Sequence, residues 1–226
     1  MSPITKKTID NIIANLGNVR EDLLTLSDVI WSSIDHNDAD SLEEGVAFKK
    51  KFNALFDAFN DNSEGLEKLI LEFAEQGKEP ETETPDAERI IKQLDKEIPH
   101  SIDEEFTFKR PYAFVLGDFA SDTANTWTAL TCQVCTALAN LNFSKLYTLA
   151  DSDELLTKQG NKPISSQKDG MRRPVCVASF NTGAQKIWVE TNRSAQDLVK
   201  LIKALLAYYG IENNAIKIYL REDRNA

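Results

Sequence analysis

Val175-Cys176-Val177-Ala178-Ser179-Phe180-Asn181-Thr182-Gly183-Ala184-Gln185-Lys186-Ile187-Trp188-Val189-Glu190 decides the fold class. Val175 to Phe180 reads as a strand, Asn181 to Ala184 as a turn, and Lys186 to Glu190 as the returning arm of a hairpin. Downstream, Ser194 opens a helix with Leu198, Val199, Ile202, Leu205, Leu206 and Tyr209 on its apolar face, and Gly210 ends it. Ala215 to Leu220 is a closing strand. Upstream, Tyr112 to Leu116 is a buried strand stopped at Gly117. A helix with Trp127, Leu130, Val134, Leu138 and Leu141 on one face follows, then a short helix from Phe143 to Leu149. The polar segment from Lys158 to Arg173 is expected to be a long exposed loop. The order β-α-α-β-β-α-β makes residues 109–226 a mixed α/β domain.

The N-terminal third has a different period. Ile9, Ile12, Leu16, Val19, Leu23, Leu26 and Ile30 keep a 3-4 spacing, the seam of a helix that meets another helix. That seam suits an oligomer interface and an intramolecular bundle core alike. A second helix is expected from Ser41, with Glu44 completing a capping box and Leu42, Val46, Phe52, Leu55, Phe56 and Phe59 on its apolar face. Asn60-Asp61-Asn62-Ser63 is expected to break it before a third helix with Leu66, Leu69, Ile70 and Phe73. Residues 1–76 therefore read as an antiparallel helical bundle or coiled coil, and the whole chain as α+β. Residues 77–108 read as an acidic linker. Within it Thr84 and Pro85 start a short helix marked by Ile90, Ile91 and Leu94.

Charge follows the same division. Residues 1–105 hold 11 basic against 25 acidic side chains, a net of −14. Residues 106–226 hold 15 against 11, a net of +4. The total of −10 argues against general nucleic-acid binding, but only the first part carries that argument. No apolar run is long enough for a transmembrane helix, so no membrane partner is expected. Met1 to Lys7 has no apolar run after its lysines, so no signal peptide is expected. Cys132, Cys135 and Cys176 make no complete disulfide framework, and a cytoplasmic setting is expected.

Catalytic signatures are sparse. Cys132-Gln133-Val134-Cys135 has metal-ligand spacing, yet it lies in a helical pattern with no second ligand pair. His36 and His100 fall in connections, beside no recognised nucleophile motif. No phosphate-binding glycine loop occurs. Asp118 and Asp122 flank the end of a strand, where they would hold a cation or cap the next helix. Lys158, Lys162, Lys168, Arg172 and Arg173 cluster in one polar loop, and Arg193 stands just before the Ser194 helix. Such cations neutralise phosphates, and Trp188 and Tyr112 offer stacking faces. A solvated loop and core aromatics would account for the same residues.

Several segments from Lys109 onward carry a resemblance. They are the Lys109-Arg110-Pro111-Tyr112-Ala113-Phe114 strand, the Trp127-led helix, Val189 to Ala195, Leu201-Ile202-Lys203-Ala204-Leu205-Leu206, and Ile216 to Arg221. Through them residues 109–221 resemble an uncharacterised bacterial C-terminal α/β module. The resemblance implies a setting near phage-defence or mobile-element genes, and it brings no catalytic residues.

The expected function is a non-enzymatic two-module adaptor with no cofactor. It would self-associate through the seam from Ile9 to Ile30, or dock there on a partner protein. Its C-terminal domain would contact nucleic acid or a partner protein. The alternative is a metal-dependent enzyme built on Asp118, Asp122 and Glu190.

Overall fold

Apolar residues spaced by threes and fours in the N-terminal third fold into two long helices. The computed structural model describes residues 3–75, 87–94, 97–157, 160–180 and 182–221. The class is α+β. The chain divides into two units, Met1–Thr84 and Pro85–Ala226.

In the first unit, α1 (Pro3–Ser33) and α2 (Ala39–Glu75) run antiparallel. Arg20 on α1 bonds Asn60 and Glu67 on α2, and Ser27 meets Lys49, so numbers fall on α2 as they rise on α1. The expected break at Asn60 to Ser63 is absent, and α2 continues through it. Asn60 Oδ1 accepts from Arg20 Nε at 2.9 Å, and Asn62 Nδ2 donates to the Ala58 carbonyl at 2.7 Å. Polar side chains that find partners on their own or a facing helix do not compete with the backbone. The expected three-helix bundle is thus a two-helix hairpin. The N-cap also differs from the expected Ser41. Asp38 Oδ2 accepts the Ser41 N–H at 3.0 Å, so Ser41 lies inside the first turn.

The second unit begins with α3 (Ala87–Leu94). Its Ile90 and Leu94 are buried with Ala113, Ala120 and Tyr219. The helix expected within a linker is therefore packed on a sheet. The Thr84–Pro85 start lies outside the described residues. Four strands, β1 (His100–Ser101), β2 (Pro111–Leu116), β3 (Phe119–Ser121) and β7 (Ile216–Leu220), form one sheet in the order β1-β7-β2-β3. A second sheet, β4-β6-β5, is made of β4 (Ile164–Ser165), β5 (Pro174–Phe180) and β6 (Gln185–Glu190). All described pairings are antiparallel.

Helix α4 (Trp127–Asp151) and helix α5 (Ala195–Tyr209) supply the rest of the core. Thr126 caps α4 and Ser194 caps α5, each through its hydroxyl. Asn142 breaks α4 (φ −159°, ψ 93°), as the two expected helices require. Its Oδ1 accepts the Lys145 N–H at 2.9 Å and starts the second segment. The Tyr209 hydroxyl lies within donating distance of the carbonyls of Leu138 (3.0 Å) and Asn142 (2.7 Å) at the break. Trp127 is buried against Phe106 and donates its indole N–H to the Lys109 carbonyl at 2.8 Å.

Candidate functional site

Burial in the helical unit is inverted. Among its described residues only Ala14 and Phe56 are buried apolar residues. Asn18, Arg20, Glu21, Thr25, Ser27 and Ser63 are buried as well. The side-chain amide of Asn18 has no hydrogen-bond partner among the described residues.

The seven seam residues split into two rows. Ile12, Val19 and Leu26, spaced by seven, are exposed. Ile9, Leu16, Leu23 and Ile30 are half-buried. Helix α2 repeats the arrangement, with Phe48, Leu55 and Leu69 exposed in a row that Asn62 interrupts. Altogether nine large apolar residues of this unit are exposed among the described ones, including Leu55 at 74% and Leu69 at 64%. Rows of exposed large apolar side chains mark a candidate interaction surface.

The second candidate surface is organised by one carboxylate. Glu190, at the end of β6, is buried. It accepts backbone N–H groups from Arg172 (2.5 Å), Arg173 (3.0 Å) and Asn192 (2.8 Å). The Arg173 carbonyl accepts from Thr191 N–H at 3.0 Å and Thr191 Oγ1 at 2.8 Å. These bonds hold Arg172 and Arg173 beside the turn that carries Arg193 into α5. Lys168 is exposed in the same loop. Lys162 is drawn elsewhere and pairs with Asp153 at 2.8 Å. Lys158 lies outside the described residues. The expected loop is also shorter than its sequence suggests, because Pro163, Ile164 and Ser165 are buried and β4 pairs with β6.

Other candidate residues separate. Asp118 is exposed in the β2–β3 turn and Asp122 just after β3, and α4 is capped by Thr126 and not by either. Glu190 belongs to the other sheet, with its oxygens committed to backbone donors. Among the described residues no three His, Cys, Asp or Glu side chains form a group that could hold a metal ion. Cys132 and Cys135 lie within α4, and burial pushes the Cys135 thiol well up, which makes it a poor nucleophile. Tyr112 is part-buried against the cluster of Ile90, Leu94 and Tyr219, and its hydroxyl donates to Glu97. Burial first, then that carboxylate, push its phenol up.

No family model, curated protein or solved structure matches this chain. Function has to be read from its own geometry. No described helix is long and apolar enough to cross a membrane.

Proposed function

We propose that this protein is a non-enzymatic adaptor that self-associates through its helical unit and presents its α/β unit to a partner. The supporting observation is the inverted burial of the hairpin. Among the described residues two fully buried and several half-buried apolar side chains offset little of the entropy of ordering two helices of 31 and 37 residues. Further burial has to come from outside the hairpin. A second copy fits, because rows repeating every seven residues match an identical row through knobs-into-holes packing. A stable interface takes about 800 Å² from each partner. The exposed rows of Ile12, Val19 and Leu26 and of Phe48, Leu55 and Leu69 would supply its apolar part. The bacterial defence or mobile-element setting implied by the resemblance of residues 109–221 suits an adaptor.

Light scattering of the full chain tests this reading. The wild type is expected as a dimer or larger at micromolar concentration. Ile12→Asp with Leu26→Asp places charges on exposed positions, so it is expected to yield a monomer with an intact α/β unit. A wild-type monomer at all concentrations would sink the proposal.

A further inference from the structure

The second sheet has two unlike faces. Side chains alternate along β6, so Ile187 and Val189 point one way while Lys186, Trp188 and Glu190 point the other. Ile187 and Val189 are fully buried in the core that includes α4. On the opposite face Lys186 is exposed and Trp188 is part-exposed. Register sets Ser165 of β4 and Cys176 of β5 on either side of Trp188, and Ser179 beside Lys186. Cys176 and Ser179 are exposed. Ser165 and Glu190 are buried, so the open side of the part-exposed indole is the one toward Cys176, and it is there that a flat partner has room.

One cation lies over the indole, and a loop with further cations is fastened by its backbone at the Glu190 end of the strand. Lys186 Nζ lies 5.9 Å from the centre of the Trp188 ring, within cation–π reach. Two residues beyond Trp188, Glu190 fastens the loop that carries Lys168 and Arg172, both exposed. That loop contains one acid, Asp169. Lys186 and Glu190 are about 13 Å apart along the strand. A part-exposed indole with a lysine over its ring and a basic loop beyond its strand matches a polymer of flat bases joined by phosphates. An acidic peptide would use the cations and leave the indole unemployed. Bases of a duplex already stack on one another, so only an unstacked base has a face to offer.

We propose that this face binds single-stranded nucleic acid, with one base stacked on Trp188 and phosphates against Lys186 and the loop of Lys168 and Arg172. The proposal rests on the reading of the α/β unit as the adaptor's recognition module. It names the class of partner.

Fluorescence anisotropy tests it, using the full chain and labelled mixed-sequence oligonucleotides of about 20 nucleotides, as single-stranded DNA, single-stranded RNA and duplex DNA. At least one single strand is expected to bind more tightly than the duplex, with affinity falling as salt rises. Trp188→Ala is expected to weaken binding about tenfold, and Trp188→Phe to retain most of it. Lys186→Glu, at an exposed position, is expected to weaken binding and flatten its salt dependence. Lys217→Glu, exposed on the other sheet, is expected to leave binding unchanged. If Trp188→Ala does not fold, Lys186→Glu decides the matter. No single-strand binding, a preference for duplex, or indifference to both Trp188→Ala and Lys186→Glu would overturn the proposal. Light scattering on the same samples separates the two readings. An oligomer that binds no single strand removes this platform and leaves self-association standing. A monomer whose single-strand binding depends on Trp188 removes self-association and leaves the platform.

Discussion

Glu190 shows how one side chain positions a whole loop. Its carboxylate takes N–H groups from Arg172 and Arg173, which precede it by 18 and 17 residues, and from Asn192 just after it. Bonds to an ionised acceptor are stronger than neutral ones. Glu190→Ala would strand three donors and is expected to cost about 2–4 kcal/mol in thermal unfolding. Hydrogen exchange at Arg172 and Arg173 should rise with it. Glu190→Gln keeps one acceptor oxygen and should cost less. Tyr209 makes a comparable tie inside α4, and its chemistry gives a pH prediction. Burial first, then the neighbouring Cys135, push its phenol up to about 12. An unfolded tyrosine ionises near 10. The folded state therefore holds a proton that the unfolded state loses between about pH 10 and 12, and stability falls as pH rises through that window. Below pH 10 this contribution is fully present. Tyr209→Phe should remove that part of the slope in alkaline unfolding curves. It should also cost about 1 kcal/mol at neutral pH, because the Leu138 and Asn142 carbonyls lose their donor.

Among the elements, α1 and α2 are joined by an ion pair that contributes little to holding them together. Arg20 Nη2 and Glu67 Oε1 are 3.4 Å apart, with little exposure on either side chain. Burial lowers the Arg20 pKa and raises that of Glu67, in each case outweighing the partner's attraction. Desolvation therefore exceeds the Coulomb gain. Replacing both, Arg20→Met with Glu67→Leu, is expected to leave the hairpin as stable or more so in urea unfolding. Arg20→Met alone should destabilise it by about 1–3 kcal/mol, because Asn60 and Glu67 lose their donor. The same contacts explain what sequence reading missed. Asn60 to Ser63 looked like a break because their partners lie 40 residues away or one turn back. Strands β5 and β6 were legible from alternation, and α5 from Ser194 and Gly210, since those signals are local. Strands β1, β3 and β4 have two or three residues each, too few to show a period. Glu190 carried no signal for its role, because its acceptors serve backbone groups that sequence leaves anonymous. Trp188 and Tyr112 looked alike as stacking faces until the fold placed them on different sheets.

At the scale of the molecule, the two units obtain their stability in different ways. The α/β unit holds all but two of the described buried apolar residues, so its own core suffices. The helical unit leaves one apolar row of each helix exposed, and under the proposed self-association its stability depends on the second copy. The full chain should then melt in two transitions by calorimetry. The helical one should move to higher temperature as protein concentration rises, since association stabilises by mass action, while the α/β one should stay in place. Charge adds a second signature. Residues 1–75 hold 7 basic against 15 acidic side chains, a net of −8, so two hairpins repel as their seams meet. Raising salt from about 0.01 M to 0.1 M shortens the screening length from about 30 Å to about 10 Å, which relieves that repulsion. The helical transition should therefore shift upward with salt, in the direction opposite to the affinity of the α/β unit for single strands. If the helical transition ignored concentration and salt alike, the hairpin would be stable by itself, and its exposed rows would need another explanation than a second copy.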